Sequence, residues 1–397
     1  MSVINMECKL GMQLMIANNS IDAILTDPPY GLSKQPKIEE VLKHWLAGDD
    51  YNATGSGFMG KTWDSFVPGP SIWKEAFRCL KPGAWAVVFA GSRTQDLMAL
   101  SLRLAGFEIM DTGMWLYGSG FPKSLDISKA IDKSLGAERE VVGKHLAPGM
   151  AKQNVLQGAQ NRNKYEFNKY STKPATNQTK KWEGWGTALK PAYEPFILAR
   201  KPLDGTYANN VLKHGVGGLN IDGCRIGNEV LKSVTRGVSK IGTFEGADGN
   251  TTPDRVGRFP ANVIHDGLDE PWAKYFYCAK ASKKDRDEGL ENLSVTSAGE
   301  MTDREEGSDG LNSPRAGAGR TTGARNIHPT VKPTNLMRYL CRLVTPPKGL
   351  ILDPFSGSGS TGKASLLEGF NFIGFEMDSK YCEIANARIK HAHNSRI

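Results

Sequence analysis

Residues 21–30 read I-D-A-I-L-T-D-P-P-Y, an apolar run that stops at an acid, two prolines and an aromatic ring. A short apolar run of this kind is typical of a buried strand, and the proline pair predicts a sharp turn at its end. In open α/β sheets, ligands collect at the carboxyl ends of the strands. The stretch therefore predicts an α/β fold with a functional turn at Asp27-Pro28-Pro29-Tyr30.

A second stretch of the same kind lies far downstream, where residues 349–359 read G-L-I-L-D-P-F-S-G-S-G. Its turn lacks the G-x-G-x-x-G spacing of a dinucleotide site, which argues against a nicotinamide-dependent oxidoreductase. Gly357 and Gly359 permit a ligand to approach the backbone closely. The Asp353 carboxylate can meet an ammonium group of that ligand, and Phe355 can line the site.

The first turn offers acceptors that suit an exocyclic amine. The Asp27 side chain and the Pro28 carbonyl can both accept hydrogen bonds from one amino group, which draws the nitrogen lone pair out of conjugation with its ring. Pro28 and Pro29 fix these acceptors in place, and Tyr30 can stack on an unstacked base. Near the second turn, Glu376 follows a predicted strand at an offset where an acid binds both ribose hydroxyls.

Together the two turns predict one reaction, methyl transfer from S-adenosylmethionine to an exocyclic amine of a nucleic-acid base. The target atom is buried in a duplex, so the base must be flipped out of the stack. No metal is expected, because a sulfonium is already an activated methyl donor.

The bulk composition sets broad limits. The chain has 397 residues and a formal net charge of +8, so its length permits a large domain with a substantial insertion. The basic balance is compatible with a polyanionic partner. The six cysteines form no C-x-x-C pair, which argues against a zinc ribbon or a redox pair. With neither a signal-peptide pattern nor an apolar run long enough to cross a bilayer, a cytoplasmic protein without a membrane partner is predicted.

The apolar patterning divides the chain into three parts. Residues 1–202 are predicted to form the catalytic half of one domain, with mobile loops at 31–69 and 148–181. Residues 203–325 are dense in Gly, Asp, Asn and Arg and are interpreted as an inserted target-recognition region. Residues 326–397 are predicted to form the cofactor-binding half.

Three ordered motifs resemble those of amino-group DNA methyltransferases of the N6-adenine/N4-cytosine type. D-P-P-Y at 27–30 matches the catalytic motif, and D-P-F-S-G-S-G at 353–359 matches the cofactor motif. H-P-T-V-K-P at 328–333 matches the segment that these enzymes carry just before the cofactor strand. Residues 182–195, W-E-G-W-G-T-A-L-K-P-A-Y-E-P, are similar to a segment of phage and prophage members that is expected to close the base pocket.

The resemblance implies a circularly permuted arrangement, the β class, in which the catalytic motif precedes the cofactor motif. The family fold is a Rossmann-like sheet of seven mostly parallel strands with helices on both faces and an inserted target-recognition region. Thr330 and Lys332 are expected nearest the methionine end of S-adenosylmethionine. Members usually carry G-D-C near the start where this chain has M-E-C, so Glu7 is expected to replace the acid that contacts the cofactor's adenine.

The resemblance also implies double-stranded DNA as the partner and a bacterial or phage origin. It leaves open a homodimer, a cognate restriction endonuclease, the recognition sequence and the identity of the Arg and Lys residues that read bases.

Adenine N6 is the preferred target, because D-P-P-Y is commoner in adenine enzymes of this type, while cytosine-N4 enzymes favour Ser at the first position. Cytosine N4 remains the second hypothesis. The sequence argues against a C5-cytosine enzyme, which needs a nucleophilic Cys after a proline, since none of the six cysteines follows a proline. A glutamine or RNA methyltransferase is a further alternative, since related sites start with N-P-P-Y, but the large insertion after the catalytic motif argues against it. A catalytically silent DNA-binding scaffold is the remaining alternative.

Overall fold

The computed structural model describes residues 2–32, 35–53, 62–118, 120, 124–144, 170–232, 253–268, 275–297, 300 and 323–395. The internal contacts divide the chain into two units. Unit 1 comprises Met1–Gly118, Tyr193–Ser294 and Arg325–Ile397, and unit 2 comprises Ser119–Ala192 and Val295–Ala324.

The strands in chain order are β1 Ser2–Asn5, β2 Ile21–Thr26, β3 Leu80–Phe89, β4 Glu108–Leu116, β5 Val141–Lys144, β6 Tyr170–Thr172, β7 Tyr193–Arg200, β8 Ile226–Leu231, β9 Arg255–Arg258, β10 Val263–His265, β11 Phe276–Tyr277, β12 Leu350–Asp353 and β13 Asn371–Glu376. The helices are α1 Cys8–Met15, α2 Ile38–Ala47, α3 Pro70–Cys79, α4 Gln95–Leu104, α5 Ile127–Ser134, α6 Asn177–Lys180, α7 Tyr207–His214, α8 Lys283–Asp287, α9 Thr334–Val344, α10 Ser360–Glu368 and α11 Ser379–Asn394. Short 3₁₀ turns lie at Thr62–Asp64 and Asp222–Cys224.

The main sheet of unit 1 has nine strands among the described residues, in the order β1-β13-β12-β2-β3-β7-β4-β10-β11. β7 runs antiparallel to both of its neighbours, β3 and β4, while the other pairings in this sheet are parallel. The predicted Rossmann-like, permuted sheet is confirmed. Its seven expected strands, β1 to β4, β7, β12 and β13, are extended by β10 and β11 at one edge.

Both faces of the sheet are covered, as a mostly parallel sheet requires. Along β3, Val87 and Phe89 belong to one apolar cluster together with Leu336 and Leu340 of α9. The intervening Val88 belongs to the other cluster, which includes residues of α1 to α4 such as Met12, Val41, Trp73 and Met98. Successive side chains of β3 therefore pack into two different cores, one on each face of the sheet.

The helices near the cofactor motif follow from their local sequence. In α9 the buried residues Leu336, Met337, Leu340, Cys341 and Val344 recur on one helical face, which is the pattern of a helix packed against a sheet. The Asp378 side chain caps α11 by accepting from the backbone N–H groups of Lys380 and Tyr381.

The predicted mobile loop over 31–69 contains a helix, because Ile38–Ala47 forms α2. This helix buries Val41 and Trp45. Its apolar residues Ile38, Val41, Leu42, Trp45 and Leu46 recur at i, i+3, i+4, i+7 and i+8, a helical period that the prediction overlooked. Residues 33–34 and 54–61 of the predicted loop lie outside the described residues.

Unit 2 contains β5, β6, α5 and α6. β5 and β6 form an antiparallel pair, and Arg139 joins this pair to α5 through a 2.5 Å ion pair with Asp132. The predicted mobile loop 148–181 lies outside the described residues as far as residue 169. From there on it contributes β6 and α6.

The boundaries of the two units differ from the predicted ones. Residues 203–294 belong to unit 1 and supply β10 and β11 to the main sheet. Residues 295–324 belong to unit 2, although 298–299 and 301–322 lie outside the described residues. The role of 203–325 as a target-recognition region stays a prediction.

Candidate active site

The two predicted turns meet because β2 and β12 are neighbours in the sheet. The strands pair in parallel, with Ile24 opposite Leu352, so their carboxyl ends open at the same edge. The Thr26 hydroxyl at the end of β2 donates a 2.6 Å hydrogen bond to the Asp353 carboxylate at the end of β12. Motifs more than 300 residues apart in the chain thus form one site.

The turn after β2 is held by hydrogen bonds to its backbone. The buried Asp64 carboxylate accepts from the backbone N–H groups of Tyr30 at 2.7 Å and Gly31 at 3.1 Å. The Thr94 hydroxyl donates to the Tyr30 carbonyl at 2.6 Å. These contacts fix the position of the Tyr30 ring and of the Asp27 carboxylate that precedes it.

Four charged or hydroxylated side chains converge beyond this turn, and we call them the acid–lysine cluster: Asp27, Tyr30, Glu194 and Lys332. The Lys332 ammonium lies 2.5 Å from Asp27 Oδ2 and 3.2 Å from Glu194 Oε2. The Tyr30 hydroxyl donates to Asp27 Oδ1 at 2.8 Å and also contacts Glu194 at 3.2 Å. The side chain of Lys332 is 6% exposed and that of Asp27 is 19% exposed.

Burial and neighbouring charges shift the pKa values of Asp27 and Glu194 in opposite directions. Burial raises the pKa of Asp27, and the neighbouring Glu194 raises it further, whereas the Lys332 ammonium opposes this rise. For Glu194, burial also acts to raise the pKa, but Lys332 and other donors outweigh it and the net pKa is lowered. The pKa of Lys332 is raised, because the two carboxylates outweigh its burial. The cluster therefore keeps its ammonium charged between two acids.

Two further side chains lie beside Glu194. The Tyr117 hydroxyl is buried, and its pKa is raised by burial and by the Glu194 carboxylate. The Lys280 ammonium lies 3.6 Å from the centre of the Tyr117 ring. The Phe89 ring lies against the cluster, with its centre 4.9 Å from the Lys332 ammonium.

The turn after β12 is ordered mainly by backbone contacts. Ser356 N–H donates to the Phe375 carbonyl at 3.0 Å, and Gly359 N–H donates to the Ser356 carbonyl at 2.8 Å. Gly359 begins α10 with a positive φ of +74°. A Cβ there would lie 2.8 Å from the Cα of Ala385 in α11, so glycine is required by helix packing as well as by backbone conformation.

The acids of this region are partly desolvated. The Asp353 carboxylate accepts from Thr26 and from the Phe355 N–H, and burial raises its pKa to about 6. Phe355 is half-buried, with its ring 6.0 Å from that of Trp73.

Glu376 ends β13 and reaches across to the glycine turn. Its carboxylate accepts from the backbone N–H groups of Gly357 at 2.8 Å and Asp378 at 2.9 Å. Burial raises its pKa to about 7. The structure thus brings Glu376, Gly357 and Asp353 together, as the spacing predicts.

Paired charges support the cofactor turn from beneath. The fully buried Arg388 donates to the Ser358 carbonyl at 2.6 Å and to the Asp285 carbonyl at 3.1 Å. The Lys363 ammonium pairs with Asp285 at 3.1 Å and Glu288 at 2.6 Å. The segment around α8, which was predicted to belong to the recognition region, therefore braces the cofactor turn.

The 328–333 segment divides between the two turns. The His328 ring stacks on Trp63 with ring centres 6.1 Å apart, and burial lowers its pKa to about 3. The His328 ring also lies against Gly357, where a Cβ would approach its Nε2 to 2.8 Å. The Thr330 side chain is exposed, whereas Lys332 contacts the catalytic turn. The expected contacts of Thr330 and Lys332 with the cofactor's methionine end stay predictions.

Glu7 caps a helix. Its carboxylate oxygens accept from the backbone N–H groups of Lys9 and Leu10, each at 2.8 Å, which is the N-cap arrangement. This accounts for an acid at the start of α1, and the expected contact with the cofactor's adenine stays a prediction.

The sequence reasoning did not single out Glu194, Asp64 or Thr94. Glu194 lies near the start of β7, within the segment that was expected to close the base pocket. An acid between an aromatic residue and a proline at the start of an apolar strand is a signal that could have identified it. Asp64 and Thr94 carry no such signal, because they act only through the folded backbone.

Among the residues that the structure describes, no helix is both long and apolar enough to cross a membrane. The same residues contain no cluster of three or more His, Cys, Asp or Glu side chains suited to a metal ion.

Comparisons with known proteins add family information. A family model described as DNA methylase matches residues 21–387. The type II methyltransferase M2.MboI of Moraxella bovis is 44% identical over 61 residues, which are 15% of this chain and 22% of that protein. M.HinfI of Haemophilus influenzae is 35% identical over 66 residues, 17% of this chain and 18% of that protein. The chain thus spans about a fifth of the length of the curated relatives it matches.

Among solved structures, the cytosine-N4-specific PvuII DNA methyltransferase is 13% identical with a TM-score of 0.42, covering 99% of this chain and 93% of that one.

Proposed function

The chain belongs to the DNA methylase family of N6-adenine and N4-cytosine enzymes, and on this premise we propose that it methylates adenine N6 in double-stranded DNA. The family's cofactor is S-adenosylmethionine. The observation that carries the proposal is the D-P-P-Y turn at the end of β2, directly beside the Asp353 turn of β12.

The cofactor-binding residues fit S-adenosylmethionine. Glu376 supplies a half-buried carboxylate with the acceptor oxygens that two ribose hydroxyls need. Asp353 supplies a second carboxylate for the amino-acid part. When bound, the cofactor supplies an activated methyl group on a sulfonium.

The catalytic turn would act on the target amine. The Asp27 carboxylate and the Pro28 carbonyl would each accept one N–H of that amine, so that the nitrogen lone pair points away from the base ring. The prolines and the hydrogen bonds at Tyr30 hold these acceptors before the base arrives, which reduces the reorganisation needed for reaction. The Tyr30 ring would stack on the flipped base.

Adenine is proposed over cytosine because the first residue of the turn is Asp. Cytosine N4 presents an equivalent amine to the same acceptors, so it is the alternative outcome of the test. The net charge of +8 favours a DNA partner by attraction to phosphates. A homodimer and a cognate restriction endonuclease stay predictions.

The decisive experiment incubates the purified protein with unmethylated double-stranded DNA and S-adenosylmethionine, then analyses the digested nucleosides by mass spectrometry. The expected product is N6-methyldeoxyadenosine, and Asp27→Ala serves as the inactive control. N4-methyldeoxycytidine would preserve the mechanism and change the base. If no methylated nucleoside forms while calorimetry detects cofactor binding, the proposed activity is wrong and a silent DNA-binding scaffold becomes the better hypothesis.

A further inference from the structure

Both carboxylate oxygens of Asp27 already have partners in the structure. Lys332 contacts Oδ2 and the Tyr30 hydroxyl donates to Oδ1. The methyl-transfer role proposed for Asp27 requires at least one further hydrogen bond, from the target amine. An ionised carboxylate has about four lone-pair sites, so the amine can be accepted while Lys332 and Tyr30 remain in place.

Lys332 is itself held on a second side. Its ammonium lies 3.2 Å from Glu194 Oε2 and 3.1 Å from the Tyr30 hydroxyl. At 6% exposure the ammonium is almost removed from water, and such a charge is stable only when it is paired. Glu194 therefore anchors Lys332 independently of Asp27.

We propose that Lys332 and Glu194 are positioning residues for methyl transfer: Lys332 holds Asp27 as an oriented carboxylate, and Glu194 holds Lys332. This inference rests on the proposed function, because it concerns how Asp27 is prepared to accept the target amine. It assigns Lys332 to the catalytic turn, whereas the sequence predicts a contact with the cofactor.

The charged groups around Asp27 affect how kcat depends on pH, so the proposed roles can be tested by that dependence. Tyr30, Glu194 and Lys332 contact or face Asp27 directly, and Asp353 on the neighbouring strand adds a further negative charge. Lys280 lies farther out, where its charge acts on Glu194, and Asp266 lies near Lys280.

The two proposed residues act on Asp27 in opposite directions. Lys332 lowers the pKa of Asp27, whereas Glu194 raises it. Only the ionised Asp27 carboxylate has both oxygens free of a proton and able to accept hydrogen bonds. The fall of kcat toward low pH, its acidic limb, therefore reports the pKa of Asp27.

The experiment measures kcat from about pH 5 to 9 for the wild type, Lys332→Met, Lys332→Arg and Glu194→Gln. Lys332→Met is expected to lower kcat by about 10²-fold and to move the acidic limb to higher pH. Glu194→Gln is expected to move that limb to lower pH, with a smaller loss of kcat. Lys332→Arg keeps the positive charge and should restore the limb toward its wild-type position, while the Kd for S-adenosylmethionine stays close to the wild-type value in all variants.

Lys201→Met is the matched control, because Lys201 is a partly buried lysine that donates to the carbonyls of Phe77 and Leu80 near the opposite ends of the strands. It should lower the midpoint of thermal unfolding and leave the acidic limb in place. If Lys332→Met does not fold, the near-isosteric Glu194→Gln still decides the question by the direction of its shift.

Two results would overturn the inference while the wild type remains active. One is an acidic limb that stays in place in both Lys332→Met and Glu194→Gln. The other is a weaker Kd for S-adenosylmethionine in Lys332→Met with kcat intact, which would return Lys332 to the cofactor site. A wild type without methyl transfer would instead overturn the proposed function, and this inference with it.

Discussion

The two turns of the candidate site hold their acids by different means. The catalytic turn presents Asp27 to side chains, the Lys332 ammonium and the Tyr30 hydroxyl. The cofactor turn presents Glu376 to backbone N–H groups, those of Gly357 and Asp378.

This difference determines what each turn can tolerate. A carboxylate paired with a buried ammonium responds strongly to any change of charge. Removing either charge leaves the other without a counter-ion at a place where little water can solvate it. A turn held by its own backbone depends instead on conformation and space, so an added methyl group disturbs it more than a distant charge. Substitutions in the catalytic turn should therefore change kcat. Substitutions in the cofactor turn should change the free energy of unfolding or the Kd for S-adenosylmethionine.

The largest effect is expected from Asp27→Ala, which removes the acceptor for the target amine. We expect kcat to fall by about 10²–10³-fold or more, while calorimetry gives a largely unchanged Kd for S-adenosylmethionine. Asp22→Ala, at the other end of β2, is the control. It breaks an ion pair with Lys81 and a hydrogen bond from Leu350 N–H, so it should lower the midpoint of thermal unfolding and keep turnover. Normal turnover of Asp27→Ala would refute the catalytic role.

The cofactor turn should be most sensitive at Gly359. Gly359→Ala combines a positive φ, which costs roughly 1–2 kcal/mol, with overpacking against Ala385, which costs about 1–3 kcal/mol. We expect the free energy of unfolding in urea to fall by about 2–5 kcal/mol.

Gly48→Ala is the matched control for Gly359→Ala. Gly48 also has a positive φ, of +90°, but a Cβ there meets nothing within 4 Å. Its loss should be limited to about 1–2 kcal/mol from the backbone alone. Equal losses in the two variants would mean that the contact with α11 contributes nothing.

A smaller effect is expected from Glu376→Ala on cofactor affinity. Losing hydrogen bonds from ribose hydroxyls to a charged group costs about 1.5–3 kcal/mol, so the Kd for S-adenosylmethionine should rise about 10- to 100-fold by calorimetry. Glu383→Ala, at an exposed position of α11, should leave the Kd unchanged. An unchanged Kd in Glu376→Ala would count against the ribose role.

The raised pKa of Glu376, about 7 compared with an ordinary 4.5, adds a pH dependence. Hydrogen bonds from ribose hydroxyls favour the ionised carboxylate, so cofactor affinity should increase as the pH rises through about 7. Glu376→Gln should remove the part of that increase near pH 7 and leave the part near pH 6 that Asp353 contributes.

The stability of the cofactor-free protein should change in the opposite direction. The folded state holds the Glu376 proton more tightly than the unfolded chain, so this contribution is full below pH 4.5 and is lost as the pH rises through about 7. Asp353, with a pKa of about 6, acts in the same direction. Glu376→Gln should therefore reduce the decline, measured by urea unfolding, without removing it.

The sequence indicates the helices most clearly where a proline or glycine stands at their ends. α9 and α10 have such signals at their ends: Pro333 precedes α9, and Gly359 and Gly369 flank α10. α2 was missed although its apolar residues follow a helical period, because the polar and glycine residues on both sides of it were interpreted as one loop. β10 and β11 have three and two residues, too few for a period to be visible.

The sequence by itself determined the α/β class, the two turns and the family resemblance, because these depend on short runs whose side chains act locally. Only the tertiary structure decided that Lys332 faces Asp27 and that Glu194 lies on its other side. The order of strands in the sheet brings together residues that lie 305 positions apart. A buried ion pair requires this three-dimensional proximity and exclusion of water, and neither is encoded in the spacing of a linear motif.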